Sequence, residues 1–177
     1  MDNRKNTILF VDDEEKTLKY FEKVFCSDYE ILTAENAERA WKILEERKGN
    51  VTVLLSDQRM PGQSGVELLS AVREHYPSVI RILTTAYSDI DSAIDSVNEG
   101  AIYQYIVKPW NIKELRLILK RTVEYALIQG ERDMLLRQKM SVLQRLVIVN
   151  RAQGLSILAV ALEPKIKNPL AALSCYV

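Results

Sequence analysis

Five short apolar runs, each followed by a stretch of helical periodicity, constrain this chain more than any other feature. The strand candidates are Thr7–Val11, Glu30–Ala34, Val51–Ser56, Ile80–Thr85 and Tyr103–Val107. Three of them contain nearly unbroken apolar sequence: Ile8-Leu9-Phe10-Val11, Val51-Thr52-Val53-Leu54-Leu55 and Ile80-Arg81-Ile82-Leu83. Strands covered on both faces read this way, because neither side of the sheet meets water. Between the strands, apolar residues recur at helical spacing. Leu18, Phe21 and Phe25 mark the first helix, and Ala37, Ala40, Trp41 and Leu44 the second. Val66, Leu69 and Val72 mark the third, Ile90, Ala93, Ile94 and Val97 the fourth, and a fifth starts near Ile112. Five such units predict an α/β fold: a parallel sheet with helices on both faces and its ligand site at the carboxyl ends of the strands.

Those carboxyl ends carry the chemistry. Asp12 and Asp13 follow the first strand, Asp57 the third, Thr85 closes the fourth, and Lys108 follows the fifth, just before Pro109. In a parallel sheet all of these lie on one rim. Three carboxylates gathered without a cation would repel one another and force some to protonate. A hard divalent cation with oxygen ligands resolves the conflict, and Mg²⁺ is the natural choice beside a phosphoryl group. A carboxylate can act as nucleophile and form an acyl phosphate. Lys108 and the Thr85 hydroxyl can then hold phosphoryl oxygens, and transfer of that group needs mostly positioning and charge neutralisation.

These residues resemble a response-regulator receiver domain from Thr7 to about Tyr125. The matching segments are Phe10-Val11-Asp12-Asp13, Leu55-Ser56-Asp57-Gln58-Arg59-Met60-Pro61-Gly62, Thr84-Thr85-Ala86 and Tyr105-Ile106-Val107-Lys108-Pro109. The resemblance implies a flavodoxin-like, doubly wound five-stranded sheet of order 2-1-3-4-5. It implies Asp57 as phosphoacceptor, with Mg²⁺ on Asp12, Asp13, Asp57 and the backbone carbonyl of Arg59. It further implies Thr85 and Lys108 as phosphoryl ligands and Tyr105 as an aromatic that turns inward when Thr85 moves. Pro109 is expected to follow a cis peptide bond. The phosphoryl donor would be a histidine kinase or phosphotransfer protein.

After Asn111 the pattern changes. There is no proline from Ile112 to Leu162, and small or apolar residues recur at alternating steps of four and three: Leu115, Leu119, Thr122, Ala126, Leu136, Met140, Leu143, Val147, Ile157 and Ala161. This heptad frame, weakened at Gln129, Asp133, Asn150 and Gly154, predicts that the fifth helix continues into a coiled coil and makes the protein a homodimer. The alternative is an ordinary fifth helix followed by a separate one. The expected organisation is a receiver domain at 1–125, a coiled-coil linker at 126–162 and a short segment at 163–177.

That last segment, Leu162 to Leu173, resembles the phosphoacceptor box of a histidine-kinase dimerisation helix, but a degenerate one. Aligned on Asn168-Pro169-Leu170, the histidine position holds Pro164 and the acidic position Lys165. The chain's single histidine, His75, lies in the receiver. No autokinase activity is expected of these residues, only Mg²⁺-dependent self-phosphorylation from small donors and self-dephosphorylation. Pro164 and Pro169 are expected to bend or interrupt the helix. The stop at Cys175-Tyr176-Val177, in mid-helix pattern, is expected of a piece of a longer protein. Two other readings stay open: part of a hybrid sensor kinase or pseudokinase, and a transcriptional regulator truncated before its DNA-binding domain.

Composition bounds the partners. Lys and Arg total 24 and Asp and Glu 24, so no global charge calls for nucleic acid or anionic lipid. No apolar stretch approaches the roughly 20 residues that span a bilayer. Two widely separated cysteines, Cys26 and Cys175, and the absence of a signal-like apolar start lead to an expected cytoplasmic location.

Overall fold

In the computed structural model, the most apolar run becomes the centre of the sheet. The model describes residues 6–48, 50–86, 94 and 101–173, with side chains up to residue 145. Strand β1 (Thr7–Val11) is buried along its whole length. It pairs in parallel with β2 (Glu30–Ala34) on one side and β3 (Val53–Asp57) on the other. Beyond β3 lie β4 (Ile80–Thr85) and β5 (Gln104–Val107), completing a five-stranded parallel sheet of order 2-1-3-4-5. The doubly wound, flavodoxin-like class expected from the sequence is the class observed. The third strand starts two residues later than the sequence pattern and includes Asp57, because Asp57 still pairs with Thr84 in the ladder.

Alternation along the strands splits the core into two faces. Leu9, Val11, Leu54 and Leu83 point to one face and pack against α2 (Ala37–Glu46) and α3 (Gly65–His75). Ile8, Phe10, Val53, Leu55 and Ile82 point to the other, against α1 (Glu15–Phe25) and the first turns of α4 (Ile112–Leu173). Phe10, Phe21, Phe25 and Trp110 form a tilted and edge-to-face aromatic group on this second face. Truncating one of its fully buried phenylalanines to alanine costs about 3–5 kcal/mol. The fourth helical stretch expected from the sequence falls outside the described residues, Ile94 apart.

The chain divides into two compact units, residues 1–130 and 131–177. Within the first, Leu115, Leu119 and Thr122 are almost wholly buried, so the start of the heptad frame is the core-facing side of α4. Over two turns a 3.5-residue and a 3.6-residue repeat select the same positions, which is why the sequence read them as a seam. In the second unit Leu136, Met140 and Leu143 are each about half exposed. The helix continues across Gly130, Gly154, Pro164 and Pro169 as one element, so neither proline interrupts it as expected. A proline inside a helix forfeits one hydrogen bond and crowds one carbonyl, a cost that a long helix accommodates locally. The side chains of the kinase-like box, Leu162 to Leu173, lie outside those described.

Two devices aim the loop after β3. Ser64 and Glu67 form a reciprocal capping box that starts α3. Gly65 lies so close to the end of β3 that a Cβ placed there would sit 2.1 Å from the Asp57 carbonyl oxygen and 2.9 Å from its carbon. Only glycine permits that approach, since both neighbours are backbone atoms of a core strand. Gly65→Ala is expected to lower stability by about 3 kcal/mol, the upper range for overpacking a tight site. Thermal denaturation checks this, with a fall in Tm on the order of 10 °C expected for a domain of this size.

Candidate functional site

Register brings the chemistry together. In the β1–β3 ladder Val11 faces Ser56, so the next residues, Asp12 and Asp57, emerge side by side. In the β3–β4 ladder Asp57 faces Thr84, and in the β4–β5 ladder Thr85 faces Val107. Lys108, one residue further, is anchored by its N–H donating to the Thr85 carbonyl at 2.8 Å. The Lys108-Pro109 bond is cis.

Lys108 closes the constellation. Its Nζ lies 2.8 Å from Asp12 Oδ2 and 2.6 Å from Asp57 Oδ1. The Asp12 side chain is fully shielded from solvent and that of Asp57 is 11% exposed, while Lys108 retains 30%. Burial pushes the Asp12 carboxyl above the usual carboxylate range, against the opposing pull of the Lys108 and Glu14 hydrogen bonds. Burial by itself would lower the Lys108 ammonium, but its hydrogen bonds to Asp12 and Asp57 outweigh that and hold it above the usual lysine range. The pair is charged: the ammonium donates at short range to both carboxylates, and the Glu14 N–H supports Asp12 at 2.9 Å.

The remaining contacts orient Asp57. The Arg59 N–H donates to Oδ2 at 3.1 Å. The Thr84 hydroxyl lies 3.3 Å from Oδ1 and 3.3 Å from the Ser56 carbonyl oxygen. Gln58 ties the loop to the start of α3: its backbone carbonyl accepts from the Gly65 N–H, and its side-chain oxygen from the Val66 N–H.

Of the residues singled out in the sequence, Asp12, Asp57 and Lys108 are in direct contact. Thr85 is fully buried, and its hydroxyl donates to the Ala86 carbonyl rather than to Asp57. Tyr105 is half-buried against the face of the core that includes Leu83. Asp13 is exposed and lines an open cleft of about 600 Å³ with Arg59, Met60 and Pro61. Sequence reasoning missed Thr84, although its register with Asp57 puts both side chains on the same face of the sheet. It also missed Trp110, whose ring packs edge-on against Phe10 and lies 5.6 Å from Lys108 Nζ.

The donor chemistry suits a hard cation: two adjacent carboxylates, a third on the neighbouring cleft and a backbone carbonyl at Arg59. Among the described residues, however, no three acidic, histidine or cysteine side chains are drawn together closely enough to hold a metal ion. Lys108 supplies the positive charge between the first two carboxylates, and Asp13 is the member not drawn in.

A doubly wound parallel sheet with an acidic rim and a lysine joining two of its carboxylates defines the class of phosphoryl-accepting signalling domains. The chain belongs to the response regulator receiver domain family, whose model matches residues 8–120. It is 38% identical over 131 residues to the hydrogenase transcriptional regulatory protein HoxA of Cupriavidus necator, which covers 74% of this chain and 27% of that protein. It is 34% identical over 128 residues to histidine kinase P4 of Formosa agariphila, covering 70% of this chain and 9% of that protein. The solved signal receiver domain of an HD domain-containing protein from Pseudomonas fluorescens superposes with a TM-score of 0.68 at 32% identity, over 75% of this chain and 96% of that one. The chain thus spans about a quarter of its HoxA relative and less than a tenth of the kinase. It is a receiver of two-component signalling, a class that exchanges phosphoryl groups with histidine kinases or phosphotransfer proteins. Among the described residues no helix is long and apolar enough to cross a membrane.

If Lys108 is the counter-ion of this rim, Lys108→Met leaves two neighbouring carboxylates without one. Its Tm in metal-free buffer should fall below that of the wild type, and Mg²⁺ should raise the variant's Tm more than the wild type's. Calorimetry with and without Mg²⁺ measures both shifts, and equal shifts would contradict the assignment.

Proposed function

We propose that Asp57 accepts a phosphoryl group from a histidine kinase or phosphotransfer protein and that the change is relayed through a C-terminal helix shared between two copies of the chain. The observation that carries the first half is the placement of Lys108 Nζ within 2.8 Å of both Asp12 and Asp57. An Asp57 oxygen attacks phosphorus as the bond to the donor breaks, and the donor departs with that electron pair. Asp57 gives up its carboxylate charge to an acyl linkage, so Lys108 can turn to the phosphoryl oxygens without leaving Asp12. Mg²⁺ held by Asp12, Asp13, Asp57 and the Arg59 carbonyl would supply further positive charge to the transferring group. Thr85 reorients its hydroxyl from the Ala86 carbonyl toward the phosphoryl group, and Tyr105 follows inward.

The relay is supported by α4 itself. Its first turns pack Leu115, Leu119 and Val123 into the receiver core, and its later turns present Leu136, Met140 and Leu143 with about half their surface free. Exposed apolar residues at heptad spacing favour pairing with a second copy. A change on the receiver face that holds Leu115 and Leu119 can therefore alter the helix on which that pairing depends.

A second reading has its own support. The similarity to histidine kinase P4 and the Asn168-Pro169-Leu170 segment both favour a receiver from a hybrid kinase or pseudokinase. In that setting Pro164, in place of the box histidine, would prevent autophosphorylation at the usual position.

One experiment addresses both halves of the proposal. The protein and Asp57→Asn are incubated with Mg²⁺ and acetyl phosphate, then read by intact mass and by sedimentation. The expected result is one added phosphoryl group in the wild type alone, with a changed dimer constant. Addition to both proteins, or to neither, would overturn the acceptor. Addition without any change in association would overturn the relay.

A further inference from the structure

Thr84 is a buried polar residue for which the proposed chemistry has so far no use. It sits in the middle layer of the sheet with no solvent exposure. A hydroxyl there is expensive unless it is hydrogen-bonded, and a valine of the same shape would fill the site with no polar atom to satisfy. The two acceptors within reach of its oxygen are the Ser56 carbonyl and Asp57 Oδ1, each at 3.3 Å. Both distances are long for a hydroxyl donor, which favours about 2.7–2.8 Å. A hydroxyl between two acceptors carries one proton and can donate to only one of them at a time.

The two acceptors differ in what phosphorylation does to them. The Ser56 carbonyl is a backbone group of β3 and stays the same throughout. Asp57 Oδ1 belongs to a carboxylate before transfer and to an acyl phosphate after it. A charged acceptor attracts the hydroxyl proton more strongly than a neutral one. Oδ1 also carries the Lys108 contact at 2.6 Å, whereas Oδ2 meets the Arg59 N–H at 3.1 Å. The carboxylate is thus gripped from the β4 side through Oδ1 and from the loop side through Oδ2, which fixes its rotation about the Cβ–Cγ bond. Lys108 can contribute to that grip only until it turns to the phosphoryl group. Thr84 lies on a core strand whose partner in the ladder is Asp57 itself, so it cannot leave.

We infer that Thr84 is a positioning residue for the acceptor: its hydroxyl holds the Asp57 carboxylate in the orientation that attacks phosphorus, then transfers its hydrogen bond to the Ser56 carbonyl once the acyl phosphate has formed. The inference rests on Asp57 being the acceptor. No proton leaves Thr84 in this exchange; only the direction of its O–H changes. Thr85, the neighbouring hydroxyl, points elsewhere and serves the phosphoryl group, so the two adjacent threonines divide the work between the acceptor before transfer and the product after it.

The test compares Thr84→Val, Thr84→Ser and Thr84→Ala in the full chain with Mg²⁺ and a concentration series of acetyl phosphate, phosphorylation being followed by intact mass. Valine keeps the shape and removes the hydroxyl. Serine keeps the hydroxyl and removes a methyl, and alanine removes both. The maximal rate of Thr84→Val should fall about five-fold, the factor carried by one ordinary net hydrogen bond, with the donor concentration for half-maximal rate unchanged. Thr84→Ser should stay within about two-fold of the wild type, since it preserves the proton donor. Should the valine variant not fold, the serine-to-alanine ratio reads the hydroxyl alone and should show the same drop. Equal maximal rates with and without the hydroxyl would overturn the inference, as would a serine variant as slow as the one lacking the hydroxyl. Asp57→Asn runs alongside: phosphorylation that persists in it would instead overturn the acceptor assignment on which the inference stands.

Discussion

The ammonium of Lys108 lies between two carboxylates, Asp12 and Asp57, that β1 and β3 deliver to the same end of the sheet. Those carboxylates are buried because the strands bearing them are buried. The strands in turn are central because both of their faces are covered by helices. A lone carboxylate at the end of such a strand would be costly to ionise, and two would be worse. The fold therefore depends at this rim on a positive charge arriving from β5, the far edge of the ladder. In the proposed phosphotransfer, the same charge would turn to the phosphoryl oxygens. Structural need and chemical use fall on the same side chain.

Much of this was legible in the chain because it follows from spacing. The apolar runs of β1, β3 and β4 announced a parallel sheet, and strand-end residues of a parallel sheet must share a rim. Asp12, Asp57 and Lys108 were found that way and are in contact. What the sequence did not carry is side-chain direction at the last residue or two of each strand. Thr84 and Thr85 are neighbours with opposite orientations, and only the β3–β4 register tells which one meets Asp57. Asp13 was placed with the other carboxylates as a strand-end residue of the common rim, and its side chain is exposed and lines the open cleft with Arg59. Nothing in the sequence gave Trp110 a role; its packing on Phe10 and its approach to Lys108 follow from the fold.

The C-terminal helix was the less legible half. Its heptad frame is real as a pattern, but its first members serve the receiver core, where Leu115 and Leu119 are buried to within 1%. A periodic apolar stripe does not say what covers it. The same four-three spacing is met first by the sheet and later by no described neighbour at Leu136, Met140 and Leu143. That handover from intradomain packing to an open stripe within one element is what makes the helix a candidate for carrying a change out of the receiver. Pro164 and Pro169 both lie within this helix, whose end is Leu173.

The most direct measurement of the charge unit at the rim is a double-mutant cycle across Asp57→Asn and Lys108→Met, read by chemical denaturation in metal-free buffer. If Lys108 and Asp57 act as one unit, the two losses will fail to add by about 1 kcal/mol or more, as expected of contacting members of an ion-pair network. Losses that add to within about 0.5 kcal/mol would mean the two side chains are energetically independent, and the account of a shared counter-ion that changes hands on phosphorylation would be wrong.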